Sequence, residues 1–215
     1  MVIAVMVAGA VAVAVAWRLI AAKRVSVWVG QGVATGGAAV AALATGRVEL
    51  SPRVEWWLAA LAGLGTGLAL YGATFAFVVV VARWERFDRH VAEIYGQAGG
   101  RSLLVTLVLA AGLVAPGEEV FWRGLFQGRL ADATTWPAGA ALTWFAYAMA
   151  NAASGSLPII AGAVVSGAIW GALALWTHGV LASLVCHSSW TALMIAAPPR
   201  RRDRPTDPPA RRAGR

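Results

Sequence analysis

Charged residues make up only 13% of this 215-residue chain, against about 25% in an ordinary soluble domain, and that shortage excludes a typical water-soluble enzyme. Cysteine is nearly absent. Cys186 stands alone, so the chain can form neither an internal disulfide nor a thiolate cage for zinc. No basic stretch precedes the first apolar run, and no small-residue cleavage site is evident before Arg18, so that run is expected to be a retained helix rather than a removable signal. The chain also lacks the length for a second folded domain beside one compact bundle.

What the sequence does have is apolar runs. Uncharged stretches extend over 17 residues (Met1 to Trp17), 22 (Val25 to Gly46), 27 (Trp56 to Ala82), 16 (Ser102 to Gly117) and 67 (Ala133 to Pro199). A membrane-crossing helix needs roughly 20 mostly apolar residues. The reading is therefore an all-α, polytopic membrane helix bundle of eight apolar segments: about 2–21, 27–45, 55–82, 102–115, 118–131, 137–152, 158–176 and 179–197. Pro116-Gly117, Trp136-Pro137, Pro158 and Thr177-His178-Gly179 mark the expected breaks in the second half. Trp56, Trp57 and Trp84 suit the interfacial ends of the third segment. The small-residue pairs Gly32 with Gly36, Gly63 with Gly67 and Gly167 with Gly171 would let helix backbones approach closely.

The net charge of +8 sits largely in a tail, seven arginines falling within the last 16 residues. With its repeated proline and arginine, 198–215 reads as a disordered extension resting on anionic lipid headgroups, and no basic-aromatic fold accompanies it to suggest nucleic acid. A second charged stretch, Arg83 to Arg101, reads as an interfacial helix or linker, with His90 as a solvated histidine within it. Placing Arg18, Lys23, Arg24, Arg83 to Arg101 and the tail on one face gathers 14 basic residues, against Arg47, Arg53 and Arg129 on the other. That asymmetry predicts an odd number of crossings and a cytoplasmic carboxyl terminus. Eight segments then conflict with seven crossings by one. The shortest, 102–115, is expected to enter and return without crossing, and a full eight-crossing bundle is the alternative. Three regions follow: amino-terminal helices and charged linker at 1–101, a membrane core at 102–197, and the tail at 198–215.

Only five charged residues lie between Ser102 and Pro199, and three of them, Glu118, Glu119 and Arg123, stand almost together. A charge at the centre of a bilayer helix costs about 2.5–3.5 kcal/mol on insertion scales, so such groups face the bundle interior and mark functional sites. Glu119 and Arg123, four apart, share a helix face and can pair. Glu118, rotated by about 100° from its neighbour, is left without an opposite charge. It is the residue expected to exchange protons. A buried ion network that merely holds the bundle together is the competing reading. Further along, Tyr147-Ala148-Met149-Ala150-Asn151 closes one segment and His187-Ser188-Ser189-Trp190-Thr191 lies in the last. An antiparallel hairpin of 118–131 with 137–152 would bring Asn151 to the depth of Glu118, with His187 facing Glu118 across a wet pocket.

The stretch Ala115-Pro116-Gly117-Glu118-Glu119-x-x-x-Arg123-Gly124, followed by Tyr147-x-x-x-Asn151 and His187-x-x-x-Thr191, resembles the three ordered motifs of the CAAX-protease and bacteriocin-processing family of intramembrane endopeptidases (CPBP, or Abi), over roughly 102–197. Asn151 stands where the family has a histidine, and Thr191 where it has asparagine or aspartate. The resemblance implies that Glu118 activates a water with help from the second motif, while the third motif stabilises an oxyanion. Its candidate residues are Glu118, Glu119, Arg123, Asn151, His187 and Thr191. It implies a membrane-associated or lipidated peptide or protein as substrate.

Other chemistries fare worse on the residues. Zinc wants three protein ligands, and His178 falls in a turn at the far end of its helix from the acid pair, so no metal or other cofactor is expected. Ser188 and Ser189 point to different helix faces from His187. Cys186 reads as a small buried hydrophobe. Trp122, Trp144, Trp170, Trp176 and Trp190 read as packing or interface anchors, and Arg129 with Asp132 as solvated. A non-catalytic scaffold, immunity or peptide-binding protein stays open because of Asn151 and Thr191. A proton-linked transporter draws on Glu118 alone, with no inverted repeat to support it.

Overall fold

The computed structural model describes residues 1–81 and 101–199. The expectations for Arg83 to Glu93, including His90 and Trp84, and for the arginine-rich tail lie outside the described residues. Seven helices run through the described residues: α1 (Val2–Ala21), α2 (Val27–Ala44), α3 (Trp56–Val81), α4 (Leu103–Ala133), α5 (Trp136–Ala152), α6 (Leu157–Thr177) and α7 (Leu181–Ala196). No strand occurs among the described residues.

The helix starts follow local chemistry. Ser26, Ser102 and Thr135 sit in extended backbone before α2, α4 and α5, and each side-chain oxygen accepts an otherwise unpartnered first-turn N–H. Pro137 and Pro158 fall in first turns, where a missing N–H costs nothing. His178 ends α6 in the left-handed conformation at φ 55°, its N–H donating to the Ala174 carbonyl.

One expectation is overturned. Segments 102–115 and 118–131 are not separate, and 102–115 does not turn back: Leu103–Ala133 is a single helix of 31 residues. Pro116 cannot donate to the residue four before it. The helix widens into a π-helical stretch at Ala110–Val114, where the Ala115 N–H reaches back to the Ala110 carbonyl, and carries on through the proline. A second widening spans Val120–Gln127. At its end the helix tightens again, the Gly128 N–H donating to the Leu125 carbonyl three residues back, and the Gly124 carbonyl accepts from the Glu49 N–H at 3.0 Å. At 1.5 Å per residue α4 is about 46 Å long, well over the ~30 Å of a hydrocarbon core.

α4 is the central element, touched by α1, α2, α5, α6 and α7. Phe121, Trp122 and Leu125 on α4, Val13 on α1 and Trp170 on α6 form the dry core. Of the three small-residue pairs, Gly63 and Gly67 bring α3 against the backbone of α7 at Ala182 and Cys186, and Gly167 lies against the Tyr147 ring. Gly32 and Gly36 face open space and pack nothing.

Burial is inverted relative to a water-soluble bundle. Gln31, Thr35, Gln127, Thr143, Ser166 and Ser183 are buried, while Val7, Val11, Val33, Leu61, Leu68 and Phe77 are exposed. Such a surface is stable only in a lipid environment. Five helices, α1, α2, α3, α4 and α6, are long and apolar enough to cross a membrane. The protein is an integral membrane protein.

The charges also separate by end. Arg129 bridges Glu49 at 3.2 Å and Asp132 at 2.8 Å, and the Arg53 N–H donates to the Thr177 carbonyl. Arg53 and Arg129 thus gather at one end, in the loop before α3 and the last turn of α4. Arg129 and Asp132 are therefore paired, not simply solvated, because the loop after α2 folds over α4. At the other end Arg101 lies over the Trp28 ring at 5.8 Å, beside the α1–α2 turn that carries Lys23 and Arg24.

Candidate active site

Glu118 and Glu119 project from the middle of α4, between its two widened stretches, where Gly117 brings the helix against the backbone of Thr35 on α2. Thr35 is eight residues into α2, about 12 Å along its axis. The pair therefore lies below the end of the bundle that carries Lys23 and Arg24.

The two acids take different partners. Glu119, fully buried, holds Arg123 one turn on (Oε1 to Nη1, 3.3 Å) and the Nδ1 of His187 on α7 (2.9 Å). The i to i+4 pair expected from the sequence is present. Arg123 also donates from Nη2 to the Gly167 carbonyl of α6 at 3.2 Å, and its guanidinium lies 4.6 Å from the Tyr147 ring centre. α4 and α7 thus meet at the Glu119 carboxylate, and α5 and α6 meet at the Arg123 guanidinium. A charge pair this dry holds only with good geometry, because desolvation of each ion costs several kcal/mol.

Glu118 has no salt bridge among the described residues; its Oε2 accepts the Tyr147 hydroxyl of α5 at 2.8 Å. His187, Glu119 and Arg123 all lie within electrostatic range of it. His187 makes its hydrogen bond to Glu119 rather than to Glu118. Docking of α7 on α4 decides this, since the imidazole is drawn to the carboxylate already committed to Arg123. The ring is further fixed by stacking on Trp170, centroids 3.6 Å apart and planes 17° from parallel. Trp170 is therefore more than a packing anchor. With Nδ1 turned to a carboxylate, that nitrogen carries the proton and Nε2 is the atom left for other work.

Asn151 lies one turn beyond Tyr147 on α5, and its hydrogen-bond partners do not include Glu118. Its Oδ1 accepts the Trp17 indole N–H of α1 at 2.9 Å, and its Nδ2 donates to the Tyr147 carbonyl at 2.9 Å. Thr191, one turn past His187 on α7, is half-buried, and no hydrogen bond joins it to Glu118, Glu119 or Asn151. Cys186 is fully buried beside His187, while His178 packs edge-on against Trp136 at 4.1 Å, at the opposite end of α6. No group of three His, Cys, Asp or Glu side chains that could hold a metal gathers among the described residues.

Two contributors escaped the sequence reading. Trp17 carries no motif signal and reaches Asn151 from 134 residues away. The Tyr147 hydroxyl was visible as part of a motif, but its partner was not.

Chemically, the cluster offers one carboxylate held by a single neutral donor and a second one locked to a guanidinium and an imidazole. The first can exchange a proton; the second orients its neighbours. Residues 100–193, which carry every residue of this cluster except Trp17, match the family model of the type II CAAX prenyl endopeptidase Rce1-like proteins. The comparisons with curated proteins and with solved structures give no match.

Proposed function

We propose, for a chain whose residues 100–193 belong to the type II CAAX prenyl endopeptidase Rce1-like family, that the protein is an intramembrane endopeptidase in which Glu118 activates the hydrolytic water. The substrate is a membrane-associated or lipidated peptide or protein. Glu118 removes a proton from water as its oxygen bonds to the peptide carbonyl carbon, and the carbonyl oxygen becomes an oxyanion. His187, its Nδ1 held by Glu119, presents Nε2–H to that oxyanion when the ring carries both protons, and the Thr191 hydroxyl adds a second donor. Collapse breaks the C–N bond, and the departing amine takes the proton from Glu118.

The observation that carries this reading is the difference between adjacent acids. Glu119 is committed to Arg123 and His187, whereas Glu118 is bound to a single neutral hydroxyl. A purely structural ion network does not need the second acid. The test is cleavage of a hydrophobic or lipidated peptide by purified protein in detergent. Glu118→Gln stops it; cleavage that survives this substitution removes the assignment.

A second reading, a catalytically impaired member serving as a membrane scaffold, immunity or peptide-binding protein, draws on one observation. The amide of Asn151 cannot take up a proton, and its oxygen is already occupied by Trp17. By the excess of basic residues, the end bearing Lys23, Arg24 and Arg101 faces the cytoplasm of a bacterial cell, with the tail on the same side.

A further inference from the structure

We propose that Tyr147 is the positioning residue for Glu118, its hydroxyl supplying the contact that the amide at 151 does not make. The inference rests on the reading of Glu118 as the acid that activates water.

Three observations carry it. The phenol O–H donates to Glu118 Oε2 at 2.8 Å, between two buried residues of different helices. Asn151 is committed elsewhere, with its oxygen on Trp17 and its amide nitrogen on the Tyr147 carbonyl. The ring that carries the hydroxyl cannot swing away. Arg123 covers one face at 4.6 Å, Trp122 and Trp170 meet it edge-on at 5.5 and 6.3 Å, and Gly167 lies against its edge. A phenylalanine would fill the same space and leave Oε2 with no donor from that side.

The arrangement fixes more than the rotamer. With Oε2 occupied, Oε1 is the oxygen left to accept a proton from water, so the hydroxyl selects which edge of the carboxylate works. The tyrosine itself need not touch substrate. The guanidinium over its ring ties this geometry to the Glu119–Arg123 pair, so both acids are placed by one set of contacts.

The test compares wild-type protein with Tyr147→Phe, and uses Tyr71→Phe as control. Tyr71 donates its hydroxyl to the Ala197 carbonyl and takes no part in the site. In the peptide assay Tyr147→Phe lowers kcat about 10- to 100-fold, the range for loss of one hydrogen bond to a charged group, with KM within about twofold and Tyr71→Phe unchanged. A normal kcat in Tyr147→Phe, with Glu118→Gln inactive, overturns the inference and leaves the protease reading standing.

A second arm needs no turnover. Dicyclohexylcarbodiimide, which enters membranes and modifies buried carboxyl groups, is applied to all three proteins, and the adduct on Glu118 is located and timed by mass spectrometry. Freed of its partner, Glu118 in Tyr147→Phe reacts at least about tenfold faster, and Tyr71→Phe reacts as wild type. Equal rates in all three overturn the inference. Absence of hydrolysis in wild type removes the protease reading, and the labelling rates then decide the inference.

Discussion

Trp17 on α1 donates its indole N–H to the Oδ1 of Asn151 on α5 across 2.9 Å, joining residues 134 apart in the chain. The contact satisfies two polar groups inside the bundle and stitches the first helix to the helix that carries Tyr147. Trp17→Phe keeps most of the ring and deletes only the donor. The expected loss is about 0.5–1.5 kcal/mol, that of one net hydrogen bond, visible as a lower thermal midpoint in detergent. An unchanged midpoint would mean that the bond contributes nothing.

The ion pairs of Arg123 and Arg129 predict losses of different size when one partner is made neutral. Arg123→Met leaves the buried Glu119 with His187 as its remaining ion-pair partner, and stranding a buried charge costs about 3–5 kcal/mol. Glu49→Gln breaks a pair whose side chains are 21% and 39% exposed, and solvent screening holds its cost to about 0–1 kcal/mol. Denaturation of the two variants side by side checks the ranking; equal losses contradict a dry Glu119–Arg123 pair.

Much of this was legible in the sequence because it is written in local spacing. The i to i+4 relation gave Glu119 with Arg123, and the apolar runs gave α1, α2 and α3 nearly to the residue. The Pro116-Gly117 signal misled because it reports only the missing hydrogen bond, whereas the helix repairs the loss by a π turn one step earlier. The partner of His187 was out of reach for a different reason. Thr191 shares its helix face, but Glu119 belongs to another helix, and only the docking of α7 on α4 brings the carboxylate to Nδ1. Likewise nothing local separates Gly36, which faces open space, from Gly63, which meets α7.

That last contrast is itself testable. A Cβ at Gly63 would run into the Ala182 carbonyl of α7, and backbone cannot rotate aside as a flexible side chain can. Gly63→Ala is expected to destabilise by about 1–3 kcal/mol through overpacking. Gly36→Ala meets nothing within 4 Å and gains about 0.5–1 kcal/mol from lower backbone entropy in a helix. Opposite shifts in thermal midpoint are the expected result, and a loss at both positions would place α2 against a neighbour at Gly36.

The substitution Asn151→His separates an active site from a silent one. Position 151 lies one turn from Tyr147, whose hydroxyl holds Glu118, so an imidazole there enters the neighbourhood of the acid with a group able to accept a proton. Positioned proton transfer contributes about 10²- to 10⁴-fold, and the peptide assay reads it directly. If Glu118 already works with Tyr147 alone, the parent cleaves and Asn151→His changes kcat modestly while losing the Trp17 contact. If the amide is what silences the protein, cleavage appears only in the variant and disappears again in Asn151→His combined with Glu118→Gln. Cleavage in neither protein leaves the buried acids as a binding surface or an internal brace, because the missing base would then have been supplied without effect.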